Sequence, residues 1–213
     1  MDKELERRGH PFVRYAEDSL IFCKSKRGAE RVCESLTKFI EKKLHLKVNR
    51  EKTEVGRVRG MKFLGYSFYE STEGWRLTLH SKTLLKLKVK LKRLTSRSNG
   101  MGYEGRKIAL HQTIRGWVNY FKLADAKKYL EKMDAWLRRR IRMCIWKSWK
   151  HPKTRVANLI KCGIKPCWAY QWGNSSSGYW RIAGSPIMNM AVSNKISVLL
   201  AIPVLWITMS DCT

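Results

Sequence analysis

The sequence predicts an α+β fold built from two parts, a mixed part over residues 1–81 and an all-α part over residues 82–213. Two observations indicate this division. In the first part, strand-like segments bounded by turn residues alternate with one long amphipathic segment. In the second part, apolar residues recur at helical spacing almost without interruption. A chain of 213 residues can bury a core as one large or two small domains.

The first part is predicted to open with a short charged helix and a hairpin. FVRY and SLIFC have strand composition and flank a tight turn, which places Glu17 and Asp18 at or near the hairpin tip. A longer helix is predicted over residues 26–43, because apolar residues recur there at helical spacing with charges between them. Its apolar stripe consists of Val32, Leu36, Phe39 and Ile40.

The rest of the first part is predicted to be extended. LKVNREKTEVGRV, residues 46–58, is expected to form a strand and a loop. MKFLGYSFYES, residues 61–71, and WRLTLH, residues 75–80, are predicted strands. They are expected to meet at Thr72–Gly74 in a second hairpin.

Four helices are predicted in the second part. The first covers residues 81–97, and a loop rich in glycine follows it. The second covers residues 106–124, the third begins at an Asp125 cap, and the fourth ends at Gly163. The apolar face of the second is predicted to contain Ile108, Ile114, Trp117, Val118 and Phe121. The stripe of the third is predicted to contain Leu130, Met133, Leu137, Ile141, Cys144 and Ile145.

Two later segments carry weaker patterns. NSSSG, residues 174–178, is predicted to be a loop. The tail ISVLLAIPVLWITM is apolar but shorter than the ~18 residues of a membrane-spanning helix, and Pro203 interrupts it. We expect a buried final helix, with a membrane anchor as the alternative. The charged N-terminal segment MDKELERRGH does not resemble a signal peptide.

The charge of the chain indicates its class of partner. Lys and Arg outnumber Asp and Glu 44 to 17, which gives a formal charge of +27 at pH 7. Such an excess repels itself in a compact state unless a polyanion neutralises it. Nucleic acid is therefore the expected partner, and an anionic membrane surface is the second candidate.

The six cysteines have no regular spacing and are interpreted as reduced thiols of a cytosolic protein. CGIKPC brings Cys162 and Cys167 close together, but a structural zinc site needs four ligands. No second pair of Cys or His follows at a useful distance. Free thiols are the preferred interpretation.

Basic residues form three candidate RNA-binding groups. Trp136, Trp146 and Trp149 are interleaved with the longest group. Each is interpreted as a core residue rather than as a platform on which bases stack. Phosphates attract such cations through counterion release. The alternative is a solvated charged face. The first group is Lys86, Lys88, Lys90, Lys92, Arg93 and Arg97; the second is Arg138, Arg139, Arg140, Arg142, Lys147, Lys150, Lys153 and Arg155; the third is Arg181.

The acidic pair of the first hairpin is the candidate for catalytic chemistry. Adjacent carboxylates can hold divalent metal ions against a triphosphate and the end of a nucleic acid. Mg²⁺ prefers oxygen ligands and keeps several waters, so two carboxylates and substrate phosphates can suffice. Polar hairpin tips are also common for the simple reason that they are solvated.

The order of motifs resembles a known family. FVRYAEDSLIF resembles the Y-x-D-D hairpin of reverse transcriptases, and the amphipathic helix, LKVNREKTEV and KFLGYSF resemble the segments that follow it there. GWVNYFK and GYWRIA resemble the thumb, or maturase, region. The chain is thus similar, to about Asn194, to the reverse transcriptase/maturase encoded by bacterial group II introns.

The resemblance implies an architecture and a set of site residues. Residues 1–81 would be a partial palm, and residues 82–213 a helical thumb/maturase (X) domain with a divergent tail. Glu17 and Asp18 would bind Mg²⁺, and Lys52 would stabilise the leaving pyrophosphate. The implied primer and template contacts are Tyr15, Phe63, Leu64, Gly65 and Tyr66.

Two departures from the family pattern affect the metal site. The family hairpin reads Tyr-Ala-Asp-Asp, whereas this chain has Glu17 at the third position. The added methylene displaces the carboxylate oxygens by about a bond length, and such sites tolerate roughly 0.5 Å. The fingers and the palm strand with another catalytic aspartate, which precede this hairpin in the family, are expected to be missing. Mg²⁺ is therefore expected only if the polymerase site is completed.

The predicted function is binding of structured group II intron RNA in the bacterial cytoplasm, in support of intron folding and splicing. Polymerase activity is not expected of this chain alone. One alternative is an RNA-directed DNA polymerase that acts with an N-terminal reverse-transcriptase fragment on an RNA/DNA primer-template. Another is a degenerate fragment without function. No membrane partner is expected.

Overall fold

The computed structural model describes residues 1–193 and divides the chain into two compact units, Met1–His80 and the residues from Ser81 onward. The first unit mixes helices with small antiparallel sheets, and the described part of the second contains helices only. The predicted α+β class is confirmed. The predicted tail helix lies outside the described residues.

The first unit has two helices and five strands. The helix α2 matches its prediction at both ends, because the Ser25 side chain accepts a hydrogen bond from the Gly28 backbone at 3.1 Å and fixes its start. Leu36 is buried, and the other three residues of its predicted stripe are half-buried. The elements are α1 (Asp2–Arg7), β1 (Phe12–Tyr15), β2 (Asp18–Ile21), α2 (Lys26–Lys43), β3 (Lys62–Phe63), β4 (Tyr66–Ser71) and β5 (Gly74–Leu79).

The first hairpin has a two-residue turn. The strands β1 and β2 pair antiparallel, with Tyr15 opposite Asp18, so Ala16 and Glu17 form the turn. Ala16 has φ 51°, a left-handed conformation that costs an L-residue about 1 kcal/mol. The acidic pair therefore sits at the tip, as predicted.

The second sheet differs from its prediction in two places. Residues 46–58 form no strand; only Arg59 makes an isolated bridge, with Phe68. The predicted strand over residues 61–71 is broken by a turn at Leu64 and Gly65, whose φ values are 50° and 86°. Two positive φ values are typical of the turn that joins tightly twisted strands. The result is a three-stranded antiparallel sheet in the order β3-β4-β5.

The described part of the second unit contains seven helices. Proline occupies the first turn of α6, α7 and α9, where its missing N–H leaves no helical bond unmade. Gly163, with φ 83°, follows α6 and ends it as predicted. The elements are α3 (Ser81–Leu94), α4 (Tyr103–Tyr120), α5 (Lys127–Ser148), α6 (Pro152–Lys161), α7 (Pro166–Gly173), α8 (Tyr179–Ala183) and α9 (Pro186–Ala191). The last three were not predicted.

Two sequence predictions about α4 and α5 are wrong in detail. Ile108 is exposed, and Leu110 takes its place in the core, because the buried face of α4 is rotated from the predicted one. The helix α5 begins at Lys127 with Ala126 as its N-cap, so Asp125 is not the cap residue. In the predicted α5 stripe, Met133 and Ile145 are only partly buried.

The core of the second unit is centred on Trp146 in α5. This indole is 1% exposed and packs with Leu159, Ile182 and Met188, which come from α6, α8 and α9. Trp146 is thus a core residue, as the sequence favoured. Within residues 1–193, no helix is long and apolar enough to cross a membrane.

Candidate nucleic-acid interface

The helix α3 has one buried and one exposed face. Thr83, Leu87 and Leu91 follow one another at four-residue spacing and are buried. On the opposite face, Leu85 and Val89 are about 60% exposed, which is unusual for aliphatic side chains four residues apart. All six predicted cations that lie within α3 or follow it are exposed, namely Lys86, Lys88, Lys90, Lys92, Arg93 and Arg97.

The charge of this face is not neutralised locally. The helix α3 contains no Asp or Glu. Among the described residues, the side chains of Lys86, Lys90 and Arg93 make no ion pair or hydrogen bond. Lys88 lies at one margin, where its Nζ is 5.6 Å from the centre of the Trp136 ring. We call this surface, formed by Lys86, Lys90 and Arg93 around Leu85 and Val89, the α3 face.

Arg140, a predicted RNA contact, instead binds the end of α3. Its guanidinium donates to Thr95 Oγ1 at 2.6 Å, to the Thr95 carbonyl at 2.9 Å and to the Lys92 carbonyl at 3.1 Å. Burial lowers the pKa of Arg140. Carbonyls at a helix C-terminus lack helical partners and carry partial negative charge, so a cation there is favourable.

Arg106 supports the same helix end and was not singled out in the sequence. It donates to the carbonyls of Leu94 at 3.2 Å and Ser96 at 3.4 Å, and to Asn99 Oδ1 at 3.1 Å. Because the residue lies on α4, only the packing of α4 against α3 brings it there, and no local signal in the sequence identifies it.

Arg138 forms an ion pair inside the second unit. Its Nε donates to Asp134 Oδ2 at 2.7 Å, and the two side chains are only 15% and 14% exposed. Burial raises the pKa of Asp134, and the charge and hydrogen bond of Arg138 oppose that shift. The prediction for the basic run did not include Asp134, which lies one helical turn before Arg138.

Arg139 connects α5 to α8. Its Nε and Nη2 donate to the Trp180 carbonyl at 3.2 and 2.9 Å, and its guanidinium lies 4.2 Å from the centre of the Trp180 ring. Gly184 leaves the space that this arrangement needs, because a Cβ at that position would stand 2.6 Å from Arg139 Cζ.

Two further arginines of the predicted RNA set also make internal contacts. Arg142 donates to the Val192 carbonyl at 3.1 Å, and burial lowers its pKa. Arg155 donates to the Trp149 carbonyl at 3.0 Å and lies 5.0 Å from the centre of the Trp146 ring. Arg139, Arg140 and Arg142 of α5 thus connect this helix to others, as Arg155 connects α6 to the end of α5, whereas the ion pair of Arg138 lies within α5.

The remaining predicted cations lie nearer to solvent. Lys150, Lys153 and Arg181 are exposed, and Lys147 is half-buried. Arg97 is exposed, and its guanidinium lies 4.7 Å from the centre of the Tyr179 ring. A contact with RNA stays a prediction for every residue of the set.

The acidic hairpin of the first unit presents two exposed carboxylates. Tyr15, Glu17 and Asp18 are all exposed. Arg14 steadies the turn from the side, since its Nε donates to the Ala16 carbonyl at 2.8 Å and its Nη1 to Asp2 Oδ1 at 2.7 Å. The hairpin can therefore display a carboxylate pair on a defined turn.

Two of the three carboxylates of α1, Asp2 and Glu4, are engaged elsewhere. Glu4 accepts hydrogen bonds from Arg7 and Arg8, and these bonds lower its pKa to about 2. Among residues 1–193, no group of three His, Cys, Asp or Glu side chains could hold a metal ion. Binding of Mg²⁺ by Glu17 and Asp18 therefore stays a prediction.

The other residues that the resemblance implies lie in or beside turns. The backbone N–H of Lys52 donates to the carbonyl of Asn49 at 3.2 Å, and its side chain is exposed in the irregular segment between α2 and β3. Phe63 pairs with Tyr66 across the Leu64–Gly65 turn, and all four are half-buried. Their roles at a primer end stay predictions.

Comparison with known proteins identifies two segments. Residues 1–68 match the family described as reverse transcriptase (RNA-dependent DNA polymerase), a range that includes the acidic hairpin. Residues 84–163 match the group II intron, maturase-specific domain, from the start of the α3 face to the glycine that ends α6. No curated protein matches the chain. The two matches lie in the order that the motifs predict and together cover more than half of the sequence, and the chain therefore belongs to the group II intron reverse transcriptase/maturase family.

Proposed function

We propose that the chain binds structured group II intron RNA through its maturase unit and supports the folding and splicing of that RNA, with no polymerase activity of its own. The observation that carries the proposal is the α3 face, a row of exposed cations on a helix without acidic residues. The match to the maturase-specific domain supports the choice of RNA as the polyanion.

The charge distribution of the second unit supports the same partner. No Asp or Glu occurs between Asp134 and Asp211, whereas Lys and Arg recur through that segment. Each lysine that neutralises a phosphate releases a condensed counterion, which makes binding favourable at low salt. The aliphatic side chains of Leu85 and Val89 lie between these cations and would contact sugars or base edges where the backbone of the RNA approaches.

Filter binding of a group II intron RNA across a salt series tests the proposal. Replacing Lys86, Lys90 and Arg93 together with Gln should weaken binding and lower the slope of log affinity against log salt by roughly 1 for each lost contact. The control variant replaces Lys42, Lys43 and Lys47, which are exposed in the first unit, and removes the same charge. If the two triple variants lose affinity equally, binding follows net charge and the α3 face is not its site.

A second candidate function is RNA-directed DNA synthesis after other palm segments are supplied. The reverse transcriptase match over the acidic hairpin favours it. In that case Glu17 and Asp18 would hold Mg²⁺ together with carboxylates from the added segments, and the ion would supply Lewis-acid stabilisation of the phosphates. If the parent chain neither binds intron RNA nor is complemented in primer extension, the remaining interpretation is a fragment without function.

A further inference from the structure

The short helix α8 carries an exposed indole that contacts an arginine. Trp180 is 40% exposed, although its neighbours Ile182 and Ala183 are fully buried and anchor the helix in the core. Burying a Trp side chain is strongly favourable. Single exposed aromatic side chains are common at protein surfaces, so the groups around this ring are what distinguish it.

Arg139 fixes the position of that ring. The guanidinium stacks 4.2 Å from the ring centre while it donates two hydrogen bonds to the carbonyl of Trp180 itself. Gly184 leaves room for the guanidinium, since an added Cβ would stand 2.6 Å from Arg139 Cζ. The cation–π contact favours the stacked orientation of the indole, which reduces the entropy lost on binding.

Two further arginines lie on or against the residues next to Trp180 in the chain. Arg181 follows Trp180 directly and is exposed, and within residues 1–193 its side chain makes no ion pair. Arg97, which lies just beyond α3, covers the ring of the adjacent Tyr179 at 4.7 Å. Since no acidic residue occurs in the chain between Asp134 and Asp211, the local charge is strongly positive.

We infer that Trp180, with Arg139 behind it and Arg181 beside it, is a stacking platform for an unpaired RNA base whose flanking phosphates contact the neighbouring arginines. An aromatic ring can stack on any nucleobase, but only when the base is unpaired and its face accessible. The platform would therefore select loops, bulges and single strands, whereas the α3 face would bind phosphates of any structured RNA. This inference rests on the proposed RNA-binding function and adds to it the class of RNA element bound.

The experiment uses the full chain and two probes, a single-stranded RNA that contains 2-aminopurine and a blunt RNA duplex of the same length. We expect the parent chain to bind both and to quench the 2-aminopurine fluorescence of the single strand. Trp180→Leu, which retains an apolar side chain of good size for packing, should lower affinity for the single strand by roughly 5- to 100-fold and abolish the quenching. Its affinity for the duplex should not change.

Two further variants complete the test. Trp180→Phe should restore the quenching and most of the single-strand affinity, because it returns an aromatic face. Trp75→Ala removes another exposed indole, in β5 of the first unit, and should change neither affinity. Thermal unfolding of each variant shows whether the second unit stays folded. If Trp180→Leu unfolds, the parent is compared with Trp180→Phe instead.

The outcomes distinguish this inference from the proposed RNA-binding function on which it rests. If the parent binds both probes and Trp180→Leu quenches 2-aminopurine as the parent does, the platform is wrong and the RNA-binding function stands. If the parent binds neither probe, both fail. If poly-glutamate binds in a manner that depends on Trp180 while RNA does not, the partner is an acidic protein and the inference is overturned.

Discussion

Gly173 in α7 lies so close to Val156 in α6 that a Cβ on the glycine would stand 2.5 Å from Val156 Cγ2 and 3.2 Å from the Val156 backbone nitrogen. Real Cβ atoms do not approach other atoms to 2.5 Å, and one of the two neighbours is backbone, which cannot rotate away. The close packing of α6 on α7, which orders the segment after the basic helix α5, therefore depends on the absence of a side chain at this position.

Gly173→Ala should destabilise the second unit by about 1–3 kcal/mol, because the added methyl group forces the two helices apart in a packed core. Chemical denaturation followed by circular dichroism measures the change. Gly116→Ala is the matched control, since Gly116 is inside α4 and a Cβ there meets nothing within 4 Å. That variant should gain about 0.5–1 kcal/mol from helix propensity. Equal effects of the two changes would contradict the packing argument.

Arg140→Met should destabilise the second unit by about 2–4 kcal/mol. The substitution removes three hydrogen bonds at the end of α3 and leaves the hydroxyl and carbonyl of Thr95, which is fully buried, with fewer donors. Arg93→Met, at an exposed position of α3, should change stability by less than about 0.5 kcal/mol. Denaturant midpoints of the two variants and the parent measure the difference in stability. An Arg140→Met protein as stable as the parent would return Arg140 to the set of predicted RNA contacts.

Acid should weaken the first unit through Glu4. The pKa of Glu4 is lowered from 4.5 to about 2 by hydrogen bonds from Arg7 and Arg8. A carboxyl group with a lowered folded-state pKa contributes stability above its unfolded pKa and loses it as pH falls. The loss should therefore occur between pH 4.5 and about 2. We expect Glu4→Gln to have a flatter stability profile in that range, measured by denaturation at each pH; an unchanged profile would mean that these ion pairs do not persist in solution.

Glu17→Asp should not create polymerase activity in this chain. The substitution restores the aspartate of the family hairpin, but the described residues still provide only two adjacent carboxylates. Primer extension on an RNA template with Mg²⁺ should show no product for the parent or for the variant. Supplying the upstream palm segments of a family member in trans should reveal any difference between them. Extension by Glu17→Asp alone, abolished by a further Asp18→Ala, would show that this chain completes the metal site by itself.

The sequence by itself determined several of the local elements and indicated a class of partner. Helical periodicity located α2 at both its ends, and turn chemistry placed the carboxylates of Glu17 and Asp18 at the tip of a hairpin. These features depend on residues close in the chain, so a local pattern is enough to predict them. The Leu64–Gly65 turn was not predicted for a related reason. An apolar run that contains a single glycine has the pattern of a continuous strand, and only the φ values show the turn.

The tertiary structure decided which cations reach solvent. Successive residues of a helix point about 100° apart, so a run such as Arg138 to Arg142 must direct some guanidinium groups inward. Where they go depends on partners that are distant in sequence: Arg139 reaches Trp180, Arg140 reaches Thr95, and Arg142 reaches Val192. A charge run in the sequence shows how many cations there are, but only the packing of α3, α5 and α8 separates those that hold the fold together from those exposed to solvent.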